Sequence, residues 1–154
     1  MHKMDLEKDI GHKIRCAHNV IGKYFNTCWK KLDMEPTRMQ CGTMHYLRDN
    51  EGRDVFQKDI EEVFSISGAT ATNILKLMEK EGLITRVSVP QDKRLKKLEL
   101  TEKGIAIDDA ARANVERLEA GMRKGFTEEE LTVFREYLDR MTQNVADLIE
   151  DNIR

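Results

Sequence analysis

The sequence predicts a mainly α-helical fold with a small antiparallel sheet of two or three strands. Three observations carry that reading. A short capped helix is followed at once by a charged hairpin between residues 67 and 104. Long amphipathic stretches stand at both ends of the chain, and turn or breaker residues separate the segments at close intervals. No internal repeat or low-complexity segment interrupts this order.

From about Leu6 to Leu32 the apolar residues Ile10, Ile14, Ala17, Ile21, Phe25, Cys28 and Leu32 step by three or four, and Val20, Tyr24 and Trp29 widen the stripe. This spacing predicts one long amphipathic helix. The stripe is broad enough to face a partner subunit as well as its own core. Glu35-Pro36-Thr37 breaks the helix, and Pro36 suits the first position of the next one. That second helix turns Met39, Met44 and Leu47 inward and ends at Asp49-Asn50-Glu51-Gly52, with Gly42 and Thr43 small and polar for their places. Asp54-Val55-Phe56-Gln57 has the form of a capping box with Asp54 as the cap, opening a helix through Phe64.

Ser65-Ile66-Ser67 then turns the chain into a helix that Ser67 caps with its hydroxyl and Gly82 closes in the left-handed conformation. Ala71, Ile74, Leu75 and Met78 form its apolar face. The opposite face, with Ala69, Thr72, Asn73 and Lys76, is short, uncharged or basic, where an ordinary solvated face would carry more Glu and Lys. Such a face can press against another polymer while offering hydrogen-bonding groups.

Leu83 to Val89 alternates β-branched with polar residues, Pro90 to Arg94 makes a charged tip, and Leu95 to Leu100 returns as a second strand. Thr101 caps a helix running through Ile105, Val115, Leu118 and Met122 to about Lys124. A last helix opens on the capping box Thr127-Glu128-Glu129-Glu130. Its Leu131, Phe134, Leu138, Met141, Val145 and Leu148 step by three and four, the spacing of a coiled-coil seam. We read it as an intersubunit seam in preference to packing within one subunit, because two terminal helices flanking a reading head need something to bury against.

Two short helices joined by a turn, with a basic hairpin after the second, make the layout of a winged helix-turn-helix, whose second helix enters the major groove with the hairpin beside it. The run Thr70, Asn73, Met78-Glu79-Lys80-Glu81-Gly82-Leu83-Ile84, Arg86, Asp92-Lys93-Arg94 and Leu98-Glu99-Leu100-Thr101-Glu102-Lys103-Gly104 resembles the MarR family of bacterial transcription regulators. Asp92-x-Arg94 at the hairpin tip and the closing Leu100-Thr101-x-x-Gly104 are its most telling parts, and Thr37-Arg38-Met39-Gln40 fits the Thr-x-x-Gln usual in that family. The expected organisation is a single domain over 1–154, with 34–104 as the winged DNA-binding region and 1–33 and 105–154 as dimerisation helices.

The distribution of charge agrees with that division. The formal net charge is −2, which alone does not mark a nucleic-acid binder. Residues 67–104, however, hold eight Lys or Arg against five Asp or Glu, while residues 105–154 hold seven against twelve. The basic excess sits on the reading module, where phosphates would lie. From these residues the expected DNA contacts are Ser67, Ala69, Thr70, Thr72, Asn73 and Lys76 on the helix and Arg86, Asp92, Lys93, Arg94, Lys96 and Lys97 on the hairpin. Asn73 suits bidentate pairing with adenine, Lys76 reaches guanine acceptors, and Arg94 enters the adjacent minor groove with Asp92 holding the tip in shape.

Other chemistries find little support. No phosphate loop, nucleophile elbow, paired-carboxylate or His-Glu metal signature occurs, so the chain is not expected to be an enzyme. Asp108-Asp109 and Glu128 to Glu130 read as residues of helix starts and solvated faces. His12 and Cys16 are four apart, yet two ligands make no metal site, and no cofactor is expected. Cys16, Cys28 and Cys41 are odd in number and lack a Cys-x-x-Cys pair, which predicts reduced thiols. With no apolar core for a signal peptide and no apolar run approaching the ~20 residues of a membrane helix, a cytoplasmic protein without membrane association is expected.

The expected function is therefore a sequence-specific regulator, a repressor, binding a pseudo-palindromic operator in double-stranded DNA as a homodimer. Release by a small-molecule effector is what the family resemblance implies, and by that resemblance Tyr24, Cys28, His45 and Arg48 line the effector crevice. Two alternatives stand beside it. One is a thiol-based redox sensor acting through Cys16, which has Arg15, His12 and His18 nearby and is weighed against an inert cysteine. The other is a winged-helix module that binds protein.

Overall fold

A computed structural model of the chain describes residues 8–30, 35–90 and 92–153, without the side chains of Asp92, Lys93, Arg94, Asn152 and Ile153. The elements among these residues are α1 (Ile10–Lys30), α2 (Arg38–Asp49), α3 (Gln57–Phe64), α4 (Gly68–Lys80), β1 (Ile84–Val89), β2 (Asp92–Leu100), α5 (Glu102–Arg123) and α6 (Glu128–Ile153). The architecture is mainly helical with a two-stranded antiparallel sheet. The chain divides into two compact units, Met1–Asn114 and Val115–Arg154, with the division inside α5.

In the first unit, α1 lies within the stretch its periodicity marks, and Leu6 and Leu32 are outside the described residues. Of the described α1 residues only Trp29 is buried, while Ile10, Ile14 and Val20 are 60%, 45% and 66% exposed. One copy of the chain thus leaves the N-terminal half of that stripe, Ile10 to Val20, uncovered, while Ile21, Tyr24, Phe25 and Cys28 are half-buried. Helix α2 starts at Arg38, so Pro36 stands before the cap and not at the first helical position: the Thr37 hydroxyl accepts from Gln40 N at 3.2 Å and the Gln40 side chain accepts from Thr37 N at 2.7 Å, a reciprocal capping box that sets the start. Gln40 is buried and donates to Glu81 at 2.6 Å, fastening the start of α2 to the end of α4. The small residues on α2 have a packing reason: a Cβ on Gly42 would sit 3.0 Å from the Phe64 ring, and the buried Thr43 hydroxyl donates to Met39 O at 2.8 Å.

The third helix corrects the sequence reading. It begins at Gln57 with Phe56 as the N-cap residue, and Asp54 is not the cap. Val55 O accepts from Leu98 N at 2.8 Å, and Phe56 forms an isolated antiparallel bridge with Lys97. That pairing holds residues 55–56 extended, so the helix starts after them, and the Asp59 carboxylate accepts from Phe56 N at 2.7 Å in the place of a side-chain cap. The third strand of the sheet is thereby reduced to one bridge.

Helix α4 begins as expected, with the Ser67 hydroxyl accepting from Thr70 N at 3.2 Å, and Gly82 at φ 71° follows the helix end in the region that glycine adopts without a Cβ penalty. Ala71, Leu75 and Met78 are fully buried. The strands pair from Ile84 with Leu100 to Ser88 with Lys96, and a register shift then brings Val89 opposite Asp92. The second strand therefore begins at Asp92, within the segment 90–94 read from sequence as the tip, because strand pairing extends past Leu95. Thr101 closes the hairpin onto α5: its hydroxyl donates to Gly82 O at 2.6 Å and accepts from Gly104 N at 3.0 Å. A Cβ on Gly104 would lie 2.1 Å from Leu83 O, so this close crossing admits only glycine. The core that holds the reading elements together centres on Met44, Ile60, Leu75, Met78, Leu83 and Ile84, all fully buried. Each such side chain contributes about 1.5–3 kcal/mol of burial energy.

In the second unit, Thr127 and Glu130 form the expected reciprocal capping box, at 3.2 Å and 2.8 Å. No described residue of this unit is buried. The apolar seam divides: Leu131, Leu138 and Met141 are half-buried, whereas Phe134, Val145 and Leu148 are exposed, as are Val133 and Tyr137 beside them.

Candidate nucleic-acid interface

The junction of α3 and α4 is tight. Ser65 takes a left-handed backbone at φ 50° and Ile66 N bonds to Glu61 O at 3.0 Å, which ends α3 and redirects the chain within two residues of the α4 cap. Beyond that cap Ala69, Thr70, Asn73 and Lys76 are exposed, as is Ser67 itself, whose hydroxyl lies 2.9 Å from that of Thr70. The structure thus brings the helix candidates onto one uncharged-to-basic face.

Thr72 differs from its neighbours in being half-buried, and the cause is Gln57 at the start of α3. The Gln57 amide donates to Thr72 Oγ1 at 3.0 Å, to Glu61 Oε1 at 2.9 Å and more weakly to Gly68 O at 3.4 Å. Sequence reasoning missed this clamp because Gln57 was read as the last residue of a misplaced capping box. A glutamine in the first turn of one helix, with a threonine in the middle of the next, was the available signal.

On the hairpin, Lys96 is exposed, whereas Arg86 and Lys97 turn toward carboxylates. Arg86 Nε lies 3.4 Å from Glu79, and its Nε and Nη2 are buried with no hydrogen-bond partner among the described residues. Lys97 Nζ lies 2.7 Å from Glu99 and 3.5 Å from Asp54. The Glu99 hydrogen bond, then the charge of Glu99, holds the Lys97 ammonium above the usual lysine range. The backbones of Asp92, Lys93 and Arg94 belong to β2, and their side chains lie outside the described residues.

Three of the four effector candidates are bonded to residues of α5. Tyr24 OH donates to Asn114 O at 3.2 Å, His45 Nδ1 is hydrogen-bonded to Asp108, and Arg48 lies 3.6 Å from Asp109 and 3.5 Å from Glu51. Cys28 is half-buried on α1. Asp108, read from sequence as a solvated carboxylate, is completely buried and also accepts from Arg112 Nε at 2.8 Å, while Arg112 Nη2 reaches Asp49 at 2.8 Å. Its hydrogen bonds to Asp108 first and to Asp49 second hold the Arg112 guanidinium above its ordinary range. An open cavity of about 490 Å³ at the base of the hairpin, bordered by Asn50, Arg53, Asp54, Lys97 and Glu99, is lined by none of the four candidates.

Cys16 is exposed with its Sγ 3.4 Å from His12 Nε2, and no group of three or more metal-ligating side chains occurs among the described residues. Burial, then the charge of Asp108, pushes the Cys41 thiol up. No helix among the described residues is long and apolar enough to cross a membrane.

Comparison with known proteins places these features beside characterised folds. Residues 33–95 match the profile of the MarR family. The chain is 25% identical over 142 residues to the HTH-type transcriptional regulator YdgJ of Bacillus subtilis, covering 92% of this chain and 82% of that one. It is similar to the heme sensor protein PefR of Streptococcus agalactiae in complex with heme, at 30% identity and TM-score 0.75, covering 89% of this chain and 94% of that one. It also resembles a MepR variant of S. aureus bound to an oligodeoxyribonucleotide, at 25% identity and TM-score 0.62, covering 89% of this chain and 98% of that one.

Proposed function

Because the chain belongs to the MarR family of winged helix-turn-helix transcription regulators, we propose that it is a sequence-specific repressor that binds a pseudo-palindromic operator as a homodimer and is released by a small-molecule effector. The observation that carries this reading is the exposed face of α4, with Ala69, Thr70, Asn73 and Lys76 and no acidic side chain among them, standing next to a hairpin that carries Lys93, Arg94 and Lys96. In a duplex complex Asn73 and Lys76 contact base edges, Arg94 enters the minor groove, and Lys93 and Lys96 contact phosphates.

Dimerisation draws support from the uncovered apolar residues of α1 and α6, which a second copy would bury. The effector reading rests on Tyr24, Cys28, His45 and Arg48, three of which are already bonded to α5, so a ligand inserted there would exchange those bonds for its own. PefR in complex with heme is a precedent for ligand binding on this fold.

Duplexes selected from a randomised pool by the purified chain, followed by sedimentation of the complex, test the proposal. The expected result is an inverted repeat whose half-sites are about one helical turn apart, bound by two copies. Recovery of no enriched sequence, or of an asymmetric site bound by one copy, overturns it.

A further inference from the structure

The inference concerns Thr72 and rests on the DNA-binding reading above. Four other threonines on described helices, Thr27, Thr43, Thr132 and Thr142, donate their hydroxyl to the carbonyl four residues earlier, at 2.8–2.9 Å. For Thr72 that carbonyl belongs to Gly68, and the Gln57 amide points at it from 3.4 Å. The same amide donates to Thr72 Oγ1 at 3.0 Å, occupying a lone pair of the hydroxyl. An amide nitrogen only donates, so it cannot take the Thr72 proton. Among the described residues Thr72 therefore keeps a proton that no neighbour claims, on the face it shares with Ala69, Asn73 and Lys76.

We infer that Gln57 fixes the polarity of the Thr72 hydroxyl, so that Thr72 meets the major groove as a hydrogen-bond donor and selects a base edge bearing an acceptor. Such acceptors are N7 and O6 of guanine, N7 of adenine and O4 of thymine; cytosine, whose N4 only donates there, is rejected. Gln57 touches no base in this scheme. It is a positioning residue that converts an adaptable hydroxyl, able to give or take a hydrogen bond, into a reader of one kind.

The geometry also says what undoing the clamp does. Gln57→Met preserves the length of the side chain without its donors. The Thr72 hydroxyl then bonds to Gly68 O, as the other four threonines bond to their own carbonyls, and turns its lone pairs outward. Gln57→Glu acts in the same direction, since a carboxylate only accepts and draws the Thr72 proton toward itself.

Selection from a randomised duplex pool, with full-length wild type and the variants Gln57→Met, Gln57→Glu, Thr72→Val and Thr72→Ser, tests the inference. Thr72→Val marks the position in each half-site that Thr72 reads, and Thr72→Ser retains the wild-type preference there. At that position alone, both Gln57 variants weaken the preference for acceptor-bearing bases by about three- to tenfold, one hydrogen bond's worth, and enrich cytosine. Thermal unfolding of each variant verifies that the selected pools come from folded protein, and either Gln57 variant suffices. Two results overturn the inference: Gln57 variants that keep the wild-type preference at the position Thr72→Val alters, or a Thr72→Val variant that alters no position. If wild type itself enriches nothing, the DNA-binding reading falls first and takes this inference with it.

Discussion

His45 Nδ1 on α2 is hydrogen-bonded to the carboxylate of Asp108 on α5, and Asp108 is completely buried. The contact joins the helix that supports the reading head to the helix that runs on into the second compact unit. Arg112 completes the arrangement by bonding both Asp108 and Asp49. A buried carboxylate is tolerable here because two donors satisfy it.

Removing that carboxylate leaves both donors without their acceptor. Asp108→Ala is expected to lower stability by about 1.5–3 kcal/mol, the range for hydrogen bonds to charged groups, and not more, because His45 and Arg112 retain some access to water. Urea unfolding of the variant and of wild type measures it. A change below about 0.5 kcal/mol means that the network contributes little beyond its geometry.

The close crossing at Gly104 makes a second expectation. A methyl group placed 2.1 Å from Leu83 O meets backbone, which cannot rotate away, so Gly104→Ala should cost about 1–3 kcal/mol or more through displacement of α5 from the hairpin. At Gly82 a Cβ meets no atom, and only the left-handed backbone is unfavourable, so Gly82→Ala should cost about 1 kcal/mol. Denaturant midpoints compare the two. Equal losses contradict the steric account of Gly104.

The lysines of the hairpin should separate. Lys96 is exposed, and Lys96→Ala is expected to weaken binding to operator and scrambled duplexes alike and reduce the salt slope by about one. Lys97 is committed to Glu99 and Asp54, so Lys97→Ala should change the slope less. Asn73→Ala should cost about 1–3 kcal/mol on operator alone and relax one base position in each half-site. Arg94→Ala should weaken binding broadly and reduce any preference for A·T pairs. Titrations at several salt concentrations decide among these; an Arg94→Ala variant that binds both duplexes like wild type favours the protein-binding alternative.

Exposed apolar residues of α6 are the place to test assembly. Phe134→Glu and Val145→Glu put charges on side chains that are 57% exposed in a single copy, so neither disturbs its own unit. If a second copy covers them, sedimentation should show monomer while helical content is unchanged. A persistent dimer for both variants removes α6 from the interface.

The thiols should alkylate in a fixed order. Cys16 is exposed, whereas burial and then Asp108 keep Cys41 protonated above the ordinary thiol range. Because the thiolate is the nucleophile, the onset of Cys41 alkylation moves to higher pH than that of a free cysteine, and Cys16 reacts first at neutral pH. Mass spectrometry of peptides after short exposure to iodoacetamide reads the order directly. Mild peroxide is expected to leave operator affinity unchanged, and rapid release that Cys16→Ser abolishes would favour redox sensing.

What the sequence determined by itself lies in hydrogen bonds that close within a few residues. Ser67 with Thr70, Thr127 with Glu130 and the glycine after α4 are local chemistry, so their residue types and spacings announced those helix ends and, through them, the order of helices and hairpin. Tertiary structure decided what local spacing leaves open. Asp54 had the form of a cap, yet strand pairing between Val55 and Leu98 held that segment extended and moved the helix start to Gln57. Arg86 and Lys97 belonged to the same basic run as Lys96 until Glu79 and Glu99 turned them aside. Asp108 looked solvated until His45, distant in sequence, arrived to bury it, and Gln57 found Thr72 only when α3 and α4 were packed. In each case the deciding partner is remote along the chain, and a charge or an amide carries no mark of which remote group will meet it.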